Sequence, residues 1–106
     1  MTYYETEKPY LDPKLKAIDV ANELQVSQRQ IAVVLKANGF SGFTNFNNKF
    51  RVEEVKRQFE VSDNAALKIE AIATQSGFGS RQSFYTAFEE FTGVNPGFYR
   101  SEISKP

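Results

Sequence analysis

The sequence predicts an all-α fold, with two helix-turn-helix units joined by a long connector helix. A short apolar pattern occurs twice, and each copy contains a serine. The serine lies four residues before the first apolar residue of the pattern in the helix that follows it and eight residues before the last. Phenylalanine and valine recur at helical spacing between the two copies, and no segment alternates apolar and polar residues as a half-buried strand does. A chain of 106 residues fits one domain.

The two copies of the pattern define the two units, at about 19–38 and about 68–92. Each predicts a short helix, a turn and a second helix capped by the serine, whose hydroxyl accepts a backbone N–H of the first turn. The second turn is one residue longer, and the apolar residues after each serine are expected to form a buried stripe. The repeated residues are Val20-Ala21, Ser27, Ile31, Val34 and Leu35, then Ile72-Ala73, Ser80, Phe84, Ala87 and Phe88.

The residues before the first unit predict an extended lead-in at 1–12, ahead of the folded domain at 13–106. Pro9 and Pro13 interrupt a polar and aromatic stretch there. A helix is predicted to begin near Pro13, because proline suits a first helical turn. Asp19 is predicted to cap the short helix that follows it.

The residues between and after the units predict the rest of the architecture. The connector helix is expected at about 43–59, and Asp63-Asn64 marks a loop. Thr92-Gly93 ends the second unit, because glycine commonly follows a helix C-terminus. Phe98 and Tyr99 of a last short helix are expected to pack back on the core.

Composition excludes several classes of function. The chain has no cysteine and no histidine, which removes disulfides, thiol nucleophiles and imidazole catalysis. No glycine loop for phosphate and no metal constellation is present, so we predict no enzyme, no catalytic residue, no metal and no cofactor. No stretch is apolar enough for a signal peptide or a membrane span, and the cytoplasm is the expected location.

The net charge is zero, but its distribution along the chain is uneven. Residues 27–59 carry six basic and two acidic groups, a net charge of +4, whereas 1–26 and 60–106 each carry −2. The positive charge therefore lies on the second helix of the first unit and on the connector. Such a region suits nucleic acid, although ordinary solvated surface is the alternative.

The second helix of a helix-turn-helix unit enters the DNA major groove with its N-terminal side chains toward the bases. In the major groove, Gln can form two hydrogen bonds to adenine and Arg can form two to guanine, and small apolar side chains can contact the methyl group of thymine. The polar positions between the apolar ones are therefore candidates for contact with DNA, with solvated surface as the alternative for any one of them. The predicted DNA-binding residues are Ser27, Gln28, Arg29, Gln30, Val33 and Lys36, then Lys49, and then Ser80, Arg81, Gln82, Ser83 and Thr86.

From about Tyr10 to Arg100, the chain resembles the DNA-binding domain of the arabinose-regulator (AraC-type) transcription factor family. The resemblance implies sequence-specific binding of double-stranded DNA, control of transcription with RNA polymerase as a partner, and a separate sensing domain outside this fragment. It also implies a structural role for Arg51. The residues that carry it are Asp19–Ser27, Phe43, Phe46, Asn48, Arg51–Lys56, Ile72-Ala73, Gly77-Phe78, Ser80, Phe84, Phe88, Thr92–Val94, Pro96 and Tyr99-Arg100.

The second unit departs from the family pattern in its charges. Thr86 stands where many members have arginine, and Glu89-Glu90 stands where basic residues are common. Because phosphate contacts supply much of the affinity for DNA, the first unit is expected to dominate binding. The alternative function is a helical protein-interaction module that has lost strong DNA binding, and the zero net charge favours it.

Overall fold

The computed structural model describes residues 2–61 and 66–104, and this part of the chain contains helices and no strand. The predicted loop at Asp63-Asn64 lies outside the described residues. A short 3-10 helix, Pro9–Leu11, follows the first α-helix. The α-helices are α1 (Thr2–Glu7), α2 (Ala17–Leu24), α3 (Gln28–Ala37), α4 (Phe43–Glu60), α5 (Ile69–Gln75), α6 (Arg81–Thr92) and α7 (Pro96–Ile103).

Helix α4 is the axis of the molecule. Its 18 residues give a length of about 27 Å at 1.5 Å per residue. Phe46 lies in the core of the first unit, whereas Val52, Val55 and Phe59 lie in that of the second. The described part of the molecule measures 46 × 24 × 24 Å, with α2 and α3 packed together, and with α5 and α6 packed against α4. The predicted all-α fold with two units and a connector is confirmed.

The lead-in is helical, so the prediction of an extended segment at 1–12 is wrong. Tyr4 of α1 and Tyr10 of the 3-10 helix are fully buried in the first core. The Tyr4 ring lies 5.0 Å from the ring centroids of both Phe46 and Phe50. Burial of two large rings stabilises a local helix that the sequence of the lead-in alone would not predict.

The start of α2 also differs from the prediction. Pro13 lies in a turn, in which the Asp12 side chain accepts the backbone N–H of Lys14 at 2.8 Å. Helix α2 begins at Ala17. Asp19 is therefore inside the first turn, not before the helix, and its carboxylate accepts the backbone N–H of Lys16 at 2.9 Å.

Two expected core residues are exposed. Leu35 is buried and Ile31 half-buried, but Val34 is 53% exposed beside an open apolar cavity of about 180 Å³ between α2, α3 and α4. Phe98 is 56% exposed, because the neighbouring Tyr99 takes the inward position and packs against Phe88. Residues adjacent in a helix point about 100° apart, so one of the two aromatic side chains faces outward.

The turns of the two units share one backbone geometry. Gln25 and Gly77 both have a positive φ, 57° and 102°. The N–H of the following residue, Val26 or Phe78, returns to a carbonyl five residues earlier, at 3.0 and 3.1 Å. Gly79 then adds one residue before the second serine, which confirms the longer second turn.

Candidate nucleic-acid interface

Helix α3 begins with a reciprocal capping box. The Ser27 Oγ accepts the backbone N–H of Gln30 at 3.0 Å, and the Gln30 side-chain oxygen accepts the backbone N–H of Ser27 at 2.8 Å. Both bonds satisfy groups that a helix N-terminus otherwise leaves unpaired. The predicted cap at Ser27 is confirmed, and the Gln30 oxygen is engaged within the protein.

The remaining predicted residues of α3 form an exposed and largely unengaged face. The side chains of Gln28, Arg29 and Lys36 make no hydrogen bond or ion pair within the part of the chain that the structure describes, and Val33 is 60% exposed. Gln28, Arg29 and Lys36 line a shallow hollow of about 340 Å³, bounded by the starts of α2 and α4. Two cations and an amide thus border one concave surface.

Helix α6 has an equivalent cap but a more occupied polar face. Ser80 accepts the backbone N–H of Ser83 at 3.1 Å, and the Ser83 hydroxyl donates back to the carbonyl of Ser80 at 3.0 Å. The Arg81 Nε lies 3.5 Å from a Glu70 carboxylate oxygen, and its guanidinium is 5.0 Å from the centre of the Tyr85 ring. The cap at Ser80 is confirmed, and the cation beside it is already paired.

A second hollow of about 340 Å³ lies between α6 and α4. Gln82, Ser83 and Thr86 line it from α6, and Asn48 lines it from α4. Asn48 belongs to the residues that carry the family resemblance, but no local pattern assigns it to the interface. Its place could have been inferred only from the packing of α4 against α6.

Glu90 lies at the edge of this second hollow, where its carboxylate accepts a hydrogen bond from the Asn45 amide at 2.8 Å. The bond joins α6 to the connector. A residue that the sequence presents only as an unfavourable charge near phosphate therefore also ties α6 to the start of the connector.

The cations of the connector lie apart from these two hollows. Lys49 is 5.6 Å from the centre of the Phe40 ring and lines a separate hollow. Lys56 forms an ion pair with Glu53 at 3.2 Å. The structure therefore does not bring Lys49 together with the predicted residues of α3 or α6.

Glu54, a buried carboxylate of the connector, forms an ion pair with Arg57. Arg57 donates to the Glu54 carboxylate, and Gln58 donates to its other oxygen at 2.7 Å. Burial acts to raise the pKa of Glu54, but these hydrogen bonds and the nearby cations hold that pKa below its ordinary value. Arg57 is thus engaged within the protein.

Arg51 is structural. It is 8% exposed, its Nε donates to the carbonyl of Tyr10 at 2.7 Å, and its Nη2 donates to the carbonyl of Asp12 at 3.0 Å. The predicted structural role is confirmed.

Comparison with known proteins identifies this arrangement. The family model described as a helix-turn-helix domain matches residues 20–102, which include both units and the connector. The chain belongs to the AraC-type helix-turn-helix family. The match confirms the family that the sequence resembles. The chain is therefore a DNA-binding domain of a transcription regulator. This family is not typically enzymatic, and the interaction-module alternative is not favoured.

Similar proteins agree with membership of the AraC-type family. An AraC-like transcription regulator of Streptomyces lividans is 32% identical over 83% of this chain and 28% of its own length. The raffinose operon transcriptional regulatory protein of Pediococcus pentosaceus is 24% identical over 81% of the chain and 30% of its own length. The chain thus spans less than a third of these curated relatives.

Solved structures show the same fold. The C-terminal domain of the two-component response regulator yesN from Fusobacterium nucleatum is 26% identical, with a TM-score of 0.71 over 89% of this chain and 88% of that one. A Listeria innocua protein of unknown function is 20% identical, with a TM-score of 0.72 over 95% and 90%. Among the described residues, no helix is long and apolar enough to cross a membrane.

Proposed function

We propose that α3 is the principal DNA-reading element of this domain and that α6 contributes less to affinity. The observation that carries this proposal is the different state of the two arginines. Arg29 has no ionic partner among the described residues, whereas Arg81 faces Glu70 and Tyr85. An arginine that must leave a carboxylate before meeting a guanine or a phosphate gives up part of what it gains, which for an exposed pair such as this one is at most about 1 kcal/mol.

The proposed base-reading residues are Gln28, Arg29 and Val33 in the first unit, with Gln82 and Thr86 in the second. All are exposed, and their chemistry suits base edges or the thymine methyl. For the other predicted residues near α3 and α6 we propose contacts to phosphate or support of the reading residues, including Gln30, Arg81 and Ser83, which the sequence placed among the base-reading candidates. That set is Ser27, Gln30, Lys36, Ser80, Arg81 and Ser83. Lys49, which lies apart from both hollows, stays a predicted contact to phosphate.

The shape of the molecule supports engagement of DNA at two places. Successive major grooves on one face of DNA are about 34 Å apart. The longest dimension of this chain, 46 Å, is sufficient for that distance, and the two units lie along α4. One chain then does what two subunits do in a dimeric repressor.

For the whole regulator we propose a sensing domain outside this chain, RNA polymerase as a partner, and action on DNA in the cytoplasm. The support is that the chain spans less than a third of its curated relatives. The similar response-regulator structure is a C-terminal domain, which agrees with a regulatory part elsewhere in that protein. The division of this chain at residue 12 stays a prediction.

The test is selection of bound duplexes from a random DNA pool, followed by sequencing and by salt titration of the best duplex. We expect one strong element read by α3 and a weaker one about a helical turn away. The affinity should fall steeply with salt, because phosphate contacts release counterions. Folded protein that enriches no sequence would contradict the proposal, and two equally strong elements would contradict the ranking of α3 over α6.

A further inference from the structure

The lead-in, the connector and the turn of the second unit meet at one point. Arg51 of α4 donates to the carbonyl oxygens of Tyr10 and Asp12 at 2.7 and 3.0 Å. A Cβ atom added at Gly77 would lie 2.1 Å from the Tyr10 carbonyl oxygen and 2.9 Å from the Arg51 Nε. We name this meeting of Tyr10–Asp12, Arg51 and Gly77 the junction.

The first unit provides an internal control for the role of Gly77. Gln25 holds the equivalent position in the first turn, also with a positive φ, and its side chain is exposed. Gln25 lies in the ordinary left-handed region, whereas the φ of Gly77, 102°, lies beyond it and itself favours glycine. The closeness of the lead-in adds a second requirement that the first turn does not have, because a Cβ atom at position 77 would overlap the Tyr10 carbonyl.

The lead-in is anchored in the first unit while it touches the second. The rings of Tyr4 and Tyr10 lie in the first core, and the Tyr4 hydroxyl donates to Asn47 at 2.9 Å. On its other side, Pro13 lies within 3.7 Å of the position that a Cβ atom at Gly79 would take. The lead-in is thus a second connection between the units, beside α4.

We propose that the junction is a positioning site, which fixes the spacing at which the two recognition helices read DNA. The proposal rests on the proposed function, because it assumes that both units engage DNA. Two linked DNA-binding units gain affinity over one unit only when both bind the same duplex at once. The gain therefore depends on the separation and orientation at which the link holds the two units. If α4 were the only link, the two units could bend relative to each other. With both α4 and the lead-in joining the units, the two recognition helices are held at one separation.

A loosened junction should therefore change selectivity for spacing and leave single elements unaffected. The folded wild-type domain should prefer one separation of its two DNA elements over separations changed by one or two base pairs. Arg51 and Gly77 do not belong to the predicted DNA-reading set. Their substitution is expected to leave affinity for a single element unchanged.

The experiment measures the affinity of each variant for the two-element duplex, for duplexes with one or two base pairs added or removed, and for each element alone. Arg51→Lys keeps the charge, but one amine cannot reach both carbonyls as the guanidinium does. Gly77→Ala places a methyl group against the Tyr10 carbonyl. Gly93→Ala is the matched control, because Gly93 also has a positive φ, 79°, but no atom within 4 Å of the added Cβ.

We expect Arg51→Lys and Gly77→Ala to weaken the dependence of affinity on the separation of the two DNA elements (the spacing profile). Linking the two units should raise affinity for the two-element duplex by roughly 10²-fold or more over a single element, and each variant should lose about tenfold of that affinity at the preferred separation. Gly93→Ala should keep the wild-type profile. A folded Arg51→Lys domain with the wild-type profile would overturn the proposal, even if Gly77→Ala fails to fold. If the wild-type domain bound neither element alone, the proposed function itself would be contradicted.

Discussion

The two units share a motif but differ in the residues that form their cores and in the side chains that they expose on their outer faces. Among the described residues, the apolar core cluster of the second unit has nine buried members, drawn from α4, α5, α6 and the turn. That of the first unit has five, and two of these, Tyr4 and Tyr10, come from the lead-in. On the outer faces the cations differ, because Arg29 and Lys36 of α3 make no ion pair among the described residues, whereas Arg81 of α6 faces Glu70 and Tyr85.

This difference indicates that stability and DNA reading are distributed unequally between the units. Arg81 faces Glu70 of α5, Ser83 takes part in the cap of α6, and Glu90 bonds to Asn45 of α4. These side chains must give up weak surface contacts before they can meet DNA. The first unit leaves Arg29 and Lys36 exposed and depends for its core on a segment outside its helix-turn-helix.

The largest expected effect tests the dependence of the first unit on the lead-in. Tyr4→Ala should cost about 3–5 kcal/mol of unfolding free energy, as for other large buried aromatic side chains. Hydrogen exchange should show faster opening in α2 and α3 than in α6. Phe88→Ala, at a fully buried position of the second core, should give the reverse pattern. Equal loosening of both units by either variant would show that they do not open separately.

The next effect tests the ranking of the two recognition helices. Arg29→Ala should weaken binding to the selected duplex by about 1–3 kcal/mol, as for an arginine that contacts a base. Arg81→Ala should weaken it less, because its charge is already paired with Glu70. Fluorescence anisotropy at fixed salt measures both. Lys14→Ala, at an exposed lysine outside the predicted interface, controls for the loss of one positive charge. Equal losses at Arg29 and Arg81 would remove the ranking.

A smaller effect tests a feature in which the units are alike. Ser27→Ala and Ser80→Ala should each cost about 1 kcal/mol, because each removes the acceptor of a backbone N–H at a helix start. Urea unfolding without DNA measures both. Ser27→Asp and Ser80→Asp keep an acceptor and should restore most of the loss. A cap that matters in one unit only would mean that the two helices start in different ways.

The smallest effect at neutral pH concerns the ionisation of Tyr4. Burial raises the pKa of Tyr4 to about 12. The unfolded chain ionises near its ordinary value of about 10, so the folded state holds more protons between these values. Stability should be unaffected below about pH 10 and should fall as the pH rises toward 12. The loss should be smaller in Tyr4→Phe, measured by thermal unfolding across that range. An equal loss in both proteins would assign it to other groups.

Local features of the fold were predictable from sequence, and long-range ones were not. Ser27, Ser80 and α4 follow from capping chemistry and helical spacing, which act over a few residues. The burial of Tyr4 depends on α4 residues more than forty positions away, so nothing in the lead-in itself predicts a helix. Val34 matches a buried stripe by spacing, but its exposure depends on how far α2 and α4 extend over α3.

The candidate site was predictable to a similar degree. Exposure of the polar positions on α3 follows from the same spacing that buries Leu35. The pairing of Arg81 with Glu70 and the contact of Glu90 with Asn45 join separate helices, and no local pattern indicates them. The contacts of these residues with DNA stay predictions.

The placement of Tyr4 and Tyr10 in the first core also sets an order for folding during synthesis. Tyr4 bonds to a residue 43 positions later, and Tyr10 to one 41 positions later. Closing loops of that length costs entropy before the contacts form, and neither contact exists until α4 has left the ribosome. The N-terminal unit is therefore made first but cannot complete its core until the connector helix is available.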